Sequence, residues 1–339
     1  MKYSVLHGLT QTPINPLDRQ AASGYNCVTL NIRAQPQRFD RVFATEQLRR
    51  LFERLAFQAN RVAKSPSANP VHDLRVAVRR LDQAITTYSV HLPRKPAKRI
   101  RKQLKTVLSA AGAVRDCDIA SKISEKFSQP EAMVLNRYAR ELRKNKEKSL
   151  LLILKNLFLR TRLSKWCDNL SLNTPPSDFH TDTVEALATS SLPGLAWRFF
   201  DGGEKAAGYT SAEELHNFRI CAKRFRYTLE LFLPVYGAIA EGLVRDVRSV
   251  QSVLGTINDY RTVRAMASEA GCGRKLAGSL KGAEHRKIRS FREIWTDRFS
   301  RPRAARWIRS LRVGGGGQFI PRKPIVAITA STNTFARGA

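Results

Sequence analysis

The stretch VHDLRVAVRRL at residues 71–81 returns in the second half of the chain as LHNFRICAKRF at residues 215–225. Laid over each other, His72 falls on His216, Arg75 on Arg219, Arg79 on Lys223 and Arg80 on Arg224. The apolar positions agree as well: Leu74 with Phe218, Val76 with Ile220, Leu81 with Phe225. A second pair, GAVRD at 112–116 and GTIND at 255–259, follows in the same order at nearly the same offset. Two motifs repeated in register indicate an internal duplication. At about 100° per residue, His72, Arg75 and Arg79 share one helix face, as do His216, Arg219, Lys223 and Arg226. Leu74, Val78 and Leu81 fall on the opposite side of the first helix, and Phe218, Ala222 and Phe225 on that of the second. One side is built to pack and the other carries a cationic ladder.

Outward from these stretches the same 3.6-residue period recurs. A helix is expected from about Phe39 to Ser65-Pro66, with Leu48, Leu51, Phe52 and Leu55 at helical spacing. Asn69-Pro70 supplies a cap and a first-turn proline for the next helix, to about Val90. Further helices fit 97–111, 116–128 and Glu131 to about Leu170, the last divisible into two. Residues 171–181 have linker composition. Beyond them come a stretch at 183–207, interrupted by Ser191-Leu192-Pro193-Gly194 and Gly202-Gly203, and a helix from Ser211, where Ser211 and Glu214 fit a capping box. Helices at 238–255, 259–270 and 274–312 complete the pattern. Asp116 and Asp259, each after a glycine break, fit the role of helix caps. No alternating run of strand length is visible, so the expected class is all-α. Residues 1–38 have the character of a flexible leader, 39–170 and 182–312 of two bundle-like repeats, and 313–339 of a flexible tail.

Charge sets the class of partner. The 339 residues contain 59 Lys+Arg against 28 Asp+Glu, a formal net charge of +31. So large an excess repels itself in a compact state and calls for an external anion. Residues 71–115 carry eleven Lys/Arg but only Asp73 and Asp82. A second ladder, Lys98, Arg101, Lys102 and Lys105, follows the first, and Arg245 and Arg248 repeat Lys102 and Lys105 in the second half. Arginine forks and lysine ammonium groups suit phosphate oxygens. His72 and His216, in the first turns of their helices, gain affinity for phosphate on protonation, and a bound polyanion raises their pKa values.

Other classes are excluded or disfavoured. No apolar stretch has the length of a bilayer span, and residues 1–30 lack a secretory signal pattern. Five scattered cysteines without a CxxC point to thiols in a reducing, cytoplasmic setting rather than to disulfides or a zinc site. Phosphoryl transfer requires metal-holding carboxylates or a phosphate-cradling loop, and Gly314–Gly317 lacks the following Lys-Ser/Thr of such a loop. Neither a cofactor nor a metal is expected. Nonspecific RNA or DNA binding is the alternative that charge alone permits. Against it, the ladders hold few aromatics for base stacking, and Trp295 and Trp307 fit a core better. The sequence sets no oligomeric state.

With VHDLRVAVRRL, GAVRD, LHNFRICAKRFRY at 215–227 and LGTIND at 254–259 in place, the chain resembles the CHAD family, the conserved histidine α-helical domain. The resemblance spans about residues 39–312. It implies two four-helix-bundle-like subdomains related by a pseudo-twofold, with basic faces lining a central groove or pore that binds inorganic polyphosphate. It also implies a non-enzymatic role and association with polyphosphate granules. Carried over, the binding positions are His72, Arg75, Arg79 and Arg80 with Lys98, Arg101, Lys102 and Lys105. In the second half they are His216, Arg219, Lys223, Arg224 and Arg226 with Arg245 and Arg248. Asp82 stands where the second repeat has Arg226, a departure that weakens the first wall. Many family members are fused to a triphosphate-hydrolysing CYTH domain, whose ExExK ladder is not visible here.

Overall fold

A computed structural model describes residues 36–157, 165–170, 184–209 and 211–312, and every element among them is helical. Most of the leader, the 171–181 linker, the tail with Gly314–Gly317, and Cys27 lie outside the described residues. Helix α1 spans Pro36–Lys64, α2 Ala68–Thr87, α3 Arg94–Ser124 and α4 Pro130–Asn156. In the second half α5 spans Val184–Tyr209, α6 Ala212–Leu231, the one-turn α7 Leu233–Tyr236, α8 Ala238–Glu269, α9 Arg274–Arg298 and α10 Arg301–Arg312. None of the described helices is long and apolar enough to cross a membrane.

The order of packing follows the chain. In the first half α1 lies on α2, α2 on α3, and α3 forms a hairpin with α4. In the second, α5 lies on α6, α6 on α8, and α8 forms a hairpin with α9, while α10 covers α5. The halves meet where α2 packs on α6 and α3 on α8. Leu74, Val78 and Leu81 of α2 and Phe218, Ala222 and Phe225 of α6 are all buried, as the helical period requires. They join a core that runs through both halves.

Around Phe199 this core is aromatic. Its ring lies 5.3–6.1 Å from those of Phe218, Phe225, Trp295, Phe299 and Trp307, and Trp295 stacks on Phe299 at 4.9 Å. Both tryptophans are thus structural, as expected, and give little surface to a ligand. A second, smaller core joins the far ends of the two hairpins. There Cys117, Ala120 and Ile123 of α3 and Leu135 of α4 meet Tyr260, Val263 and Met266 of α8 and Leu276 and Leu280 of α9.

Several expected boundaries move. The break at Gly112 does not occur: α3 is one helix of 31 residues. Nor does the break at Gly255, since α8 is one helix of 32 residues. Both must reach past the interface to the second core, and burial on either side of one glycine outweighs its propensity cost of about 1 kcal/mol. Asp116 and Asp259 are therefore mid-helical and cap nothing. The 183–207 stretch is also unbroken, with Pro193 inside α5. Leu192, Ala196 and Phe199 on its buried face hold it helical. Gly203 is required for a packing reason, because a Cβ there would lie 1.9 Å from the Trp295 ring.

The expected 274–312 helix divides at Phe299-Ser300, where Phe299 anchors in the aromatic core and Pro302 opens α10. The cap of α2 is Ser67 rather than Asn69. At α6 the expected cap forms, Ser211 Oγ accepting from the Glu214 amide at 3.0 Å.

Candidate functional site

The surface between α2, α3, α6 and α8 is built by the repeated stretches. Apolar burial on one side of α2 and of α6 leaves their ladders facing the α2–α6 and α3–α8 junctions. Arg75, Arg79, Arg115, Arg219 and Lys223 influence one another's charge there, so residues far apart in sequence share one electrostatic cluster. Gly112 of α3 makes room for it: a Cβ at this position would lie 2.6 Å from Arg75 Nη1. The glycine that sequence suggests as a helix break is instead the seat of an arginine.

The cluster is under-compensated. Among the described residues none of Arg75, Arg79, Arg115, Arg219 or Lys223 forms an ion pair. Arg219 Nε is buried without a hydrogen-bond partner there. Burial, then Arg79, Arg115 and Arg219, bring the Arg75 guanidinium down to about 10, opposed by Asp116. Burial and Arg79 lower Arg219 too, against Asp259 and Asp116. Lys223 moves furthest, to about 6, through burial and then Arg79, Arg219 and Arg75, with Asp259 opposing. Four guanidinium groups and one amine with unspent hydrogen-bonding capacity have the chemistry to accept an anion.

Two carboxylates belong to the same cluster. Burial raises Asp116 above its ordinary range while Arg75, Arg219, Arg79 and Arg115 pull it back. Asp259 is raised by burial and by Asp116, against Arg115, Arg219 and Lys223. They are counter-charges in an otherwise cationic surface. With Arg115 they are the residues that ladder reasoning passed over. The signal was present in GAVRD and GTIND, which carry all three.

The remaining expected residues divide. His72 keeps part of its surface in solvent; its imidazole pKa is pushed down by partial burial and then by Arg115, with Arg75 and Arg79 adding to the effect and Asp73 opposing it. Asp73 itself turns to Arg61, at 2.9 Å. His216 lines a cleft of about 490 Å³ between α6 and α8 that adjoins the cluster through Arg219, with Asn258, Arg261 and Thr262 and an apolar floor of Leu215, Leu254 and Ile257. Arg80, Arg226 and Arg248 converge on Glu230, whose side chain is 6% exposed, at 3.2, 2.6 and 3.0 Å. Arg101 pairs with Asp82 at 2.8 Å. These four spend much of their charge inside the protein. Lys98, Lys102, Lys105, Arg224 and Arg245 are exposed and form no ion pair among the described residues.

Among the described residues no group of three His, Cys, Asp or Glu could hold a metal ion, and Cys117, Cys167, Cys221 and Cys272 form no disulfide.

Comparison with known proteins agrees with this architecture. No curated protein matches the chain. Among solved structures it is similar to the CHAD domain from the plant Ricinus communis, at 19% identity and a TM-score of 0.57, over 84% of this chain and 98% of that one. It is also similar to PptA from Streptomyces chartreusis, at 15% identity and a TM-score of 0.58, over 76% of this chain and 99% of that one. At these identities the likeness concerns the fold. In sequence, the CHAD domain profile matches residues 46–268, a span that begins in α1, contains all four repeated motifs and closes at the end of α8; the chain belongs to the CHAD domain family.

Proposed function

We propose that this chain binds inorganic polyphosphate without transforming it, along a basic groove formed where two duplicated helical halves meet. The observation that carries this reading is the cluster of Arg75, Arg79, Arg115, Arg219 and Lys223, drawn from both halves and without ion pairs among the described residues. A flexible chain of phosphates offers closely spaced oxygens to such a set. Binding then releases its condensed counterions, as for nucleic acids. The exposed Lys98, Lys102, Lys105 and Arg245 extend the cationic surface beyond the cluster. Binding is favoured over catalysis because His72 has no orienting acid: its neighbour Asp73 is held by Arg61. Recruitment to polyphosphate granules in the cytoplasm is the cellular role that fits such a binder. Nonspecific nucleic-acid binding is the competing reading.

A competition titration across salt concentrations tests it, with long-chain polyphosphate, tripolyphosphate, single-stranded RNA and duplex DNA as competitors. Polyphosphate is expected to win near 0.15 M salt. The Arg75→Ala/Arg79→Ala/Arg219→Ala/Lys223→Ala variant should keep its helical circular dichroism while losing on the order of 10²-fold in affinity, with a shallower salt slope. Equal competition by nucleic acid, with the variant behaving as wild type, would make the charge a generic polyanion surface.

A further inference from the structure

The repeated stretches differ in kind within the cluster: Arg115 of the first half is matched by Asn258 in the second, and Arg79 is matched by an amine, Lys223. A guanidinium keeps its proton in almost any surroundings, whereas a buried ammonium gives it up when the cation becomes costly. Lys223 sits on α6 one turn beyond Arg219, where α6 packs on α2 and α8; Arg79, Arg219 and Arg75 repel its charge, and Asp259 of α8 is its counter-charge. On the α5 side of α6, Phe199 packs against Phe218 and Phe225, and the charged Arg198 and Asp201 of α5 act on Cys221. Lys223 makes no ion pair among the described residues. Three guanidinium groups that hold their protons thus surround one amine that need not.

Resting on the polyphosphate reading above, we propose that Lys223 is the proton acceptor of the groove: it stands as a neutral amine while the groove is empty and takes up a proton from solvent when a polyphosphate enters. Burial and the three arginines bring its ammonium down to about 6 in the ligand-free protein. Phosphate oxygens beside Nζ oppose that like-charge repulsion and raise it again. The sign follows from linkage. Below about pH 6 the lysine is already charged and binding takes up nothing there. Above that, up to the pKa in the complex, each binding event must acquire a proton, and affinity falls about tenfold per pH unit. Internal phosphates of a long chain are strong acids and do not titrate in this window. His72, neutral for its own reasons of burial and Arg115, and His216 are the groups whose uptake must be separated from that of Lys223. Asp116 and Asp259 are the carboxylates to separate.

Isothermal titration of the full chain with long-chain polyphosphate, in buffers of different ionisation enthalpy near pH 7.5, reads the uptake directly. Wild type is expected to take up close to one proton through Lys223, with any histidine contribution added to it. The His72→Gln/His216→Gln variant should retain the Lys223 part, whereas Lys223→Gln and Lys223→Arg should lose it. Lys223→Gln introduces no fourth guanidinium and remains informative where Lys223→Arg does not fold. Binding with no proton uptake, or uptake undiminished in Lys223→Gln, overturns the coupling and leaves polyphosphate binding intact. Absence of binding at any pH overturns the polyphosphate reading itself. A ligand-free check is independent of both: in ¹⁵N-lysine NMR, assigned by Lys223→Gln, the Nζ signal should titrate near pH 6. A midpoint near the ordinary value of about 10.4 overturns the inference whatever binds.

Discussion

Gly112 serves a charged neighbour by having no side chain. It lies mid-helix in α3, where glycine costs about 0.5–1 kcal/mol relative to alanine, and a Cβ there would lie 2.6 Å from Arg75 Nη1. Gly112→Ala should therefore separate two quantities that usually move together. The guanidinium is the far end of a flexible side chain and can swing away, so the variant should fold with unchanged or slightly higher stability. Polyphosphate affinity should nevertheless fall by about tenfold, equivalent to 1.4 kcal/mol, as Arg75 leaves its seat. Thermal unfolding and a binding titration on the same preparation check both halves of that expectation; undiminished affinity would mean that Arg75 binds equally well from elsewhere. Asp116, one turn further along the helix, makes the complementary point. Its residue type and the preceding glycine suggest a cap, but only its neighbours show that it is a counter-charge to four arginines.

At the scale of the element, glycine and proline prove to be weak punctuation where both sides of a helix are held by burial. The α8 helix runs through Gly255, and a Cβ there would meet no atom within 4 Å. Gly255→Ala should accordingly raise stability by about 0.5–1 kcal/mol, mainly by restricting the unfolded chain. Gly203 in α5 is the contrasting case, its missing Cβ replaced by the ring of Trp295 at 1.9 Å. Gly203→Ala should cost about 1–3 kcal/mol or more, since the indole is wedged among Phe199, Phe218 and Phe299 and cannot yield cheaply. Urea denaturation of the two variants against wild type tests the pair, and equal effects would contradict this account. The amphipathic period made the helices legible in sequence. The lengths of α3 and α8 were not, because they are set by a second core to which four helices contribute.

For the whole molecule, the decisive contacts are those that join the halves. Glu230 of α6 receives Arg80 from α2 while holding Arg226 and Arg248. Nearby, Gln83 Nε2 donates to Thr228 Oγ1 at 3.1 Å, and the Tyr88 and Phe232 rings meet edge to face at 6.4 Å. Removing a buried carboxylate that satisfies several arginines leaves uncompensated charge, so Glu230→Ala should destabilise the protein by about 3–5 kcal/mol. Chemical denaturation is the measurement; a loss under about 1 kcal/mol would show that the three arginines find water or other partners easily. The same contacts explain why the list of ladder residues had to be divided. From sequence, the thirteen lysines and arginines of the ladders looked alike in role. In the fold Arg80, Arg101, Arg226 and Arg248 are engaged by Asp82 or Glu230, while Arg75, Arg79, Arg219 and Lys223 are not.

By itself the sequence determined the helical class, the buried and cationic faces of α2 and α6, and the excess of positive charge. These depend on local period and on composition, which do not change with what lies across the interface. Only the tertiary structure decided which cations remain unpaired, that Asp116 and Asp259 sit among them, and that Gly112 is a seat for Arg75. Arg80 and Glu230 are 150 residues apart in the chain, and no local pattern encodes such a meeting. The protonation state of Lys223 is decided in the same way. Like-charge repulsion and desolvation depend on distance in space and on the exclusion of water, and both come into being only when α2, α6 and α8 are brought together.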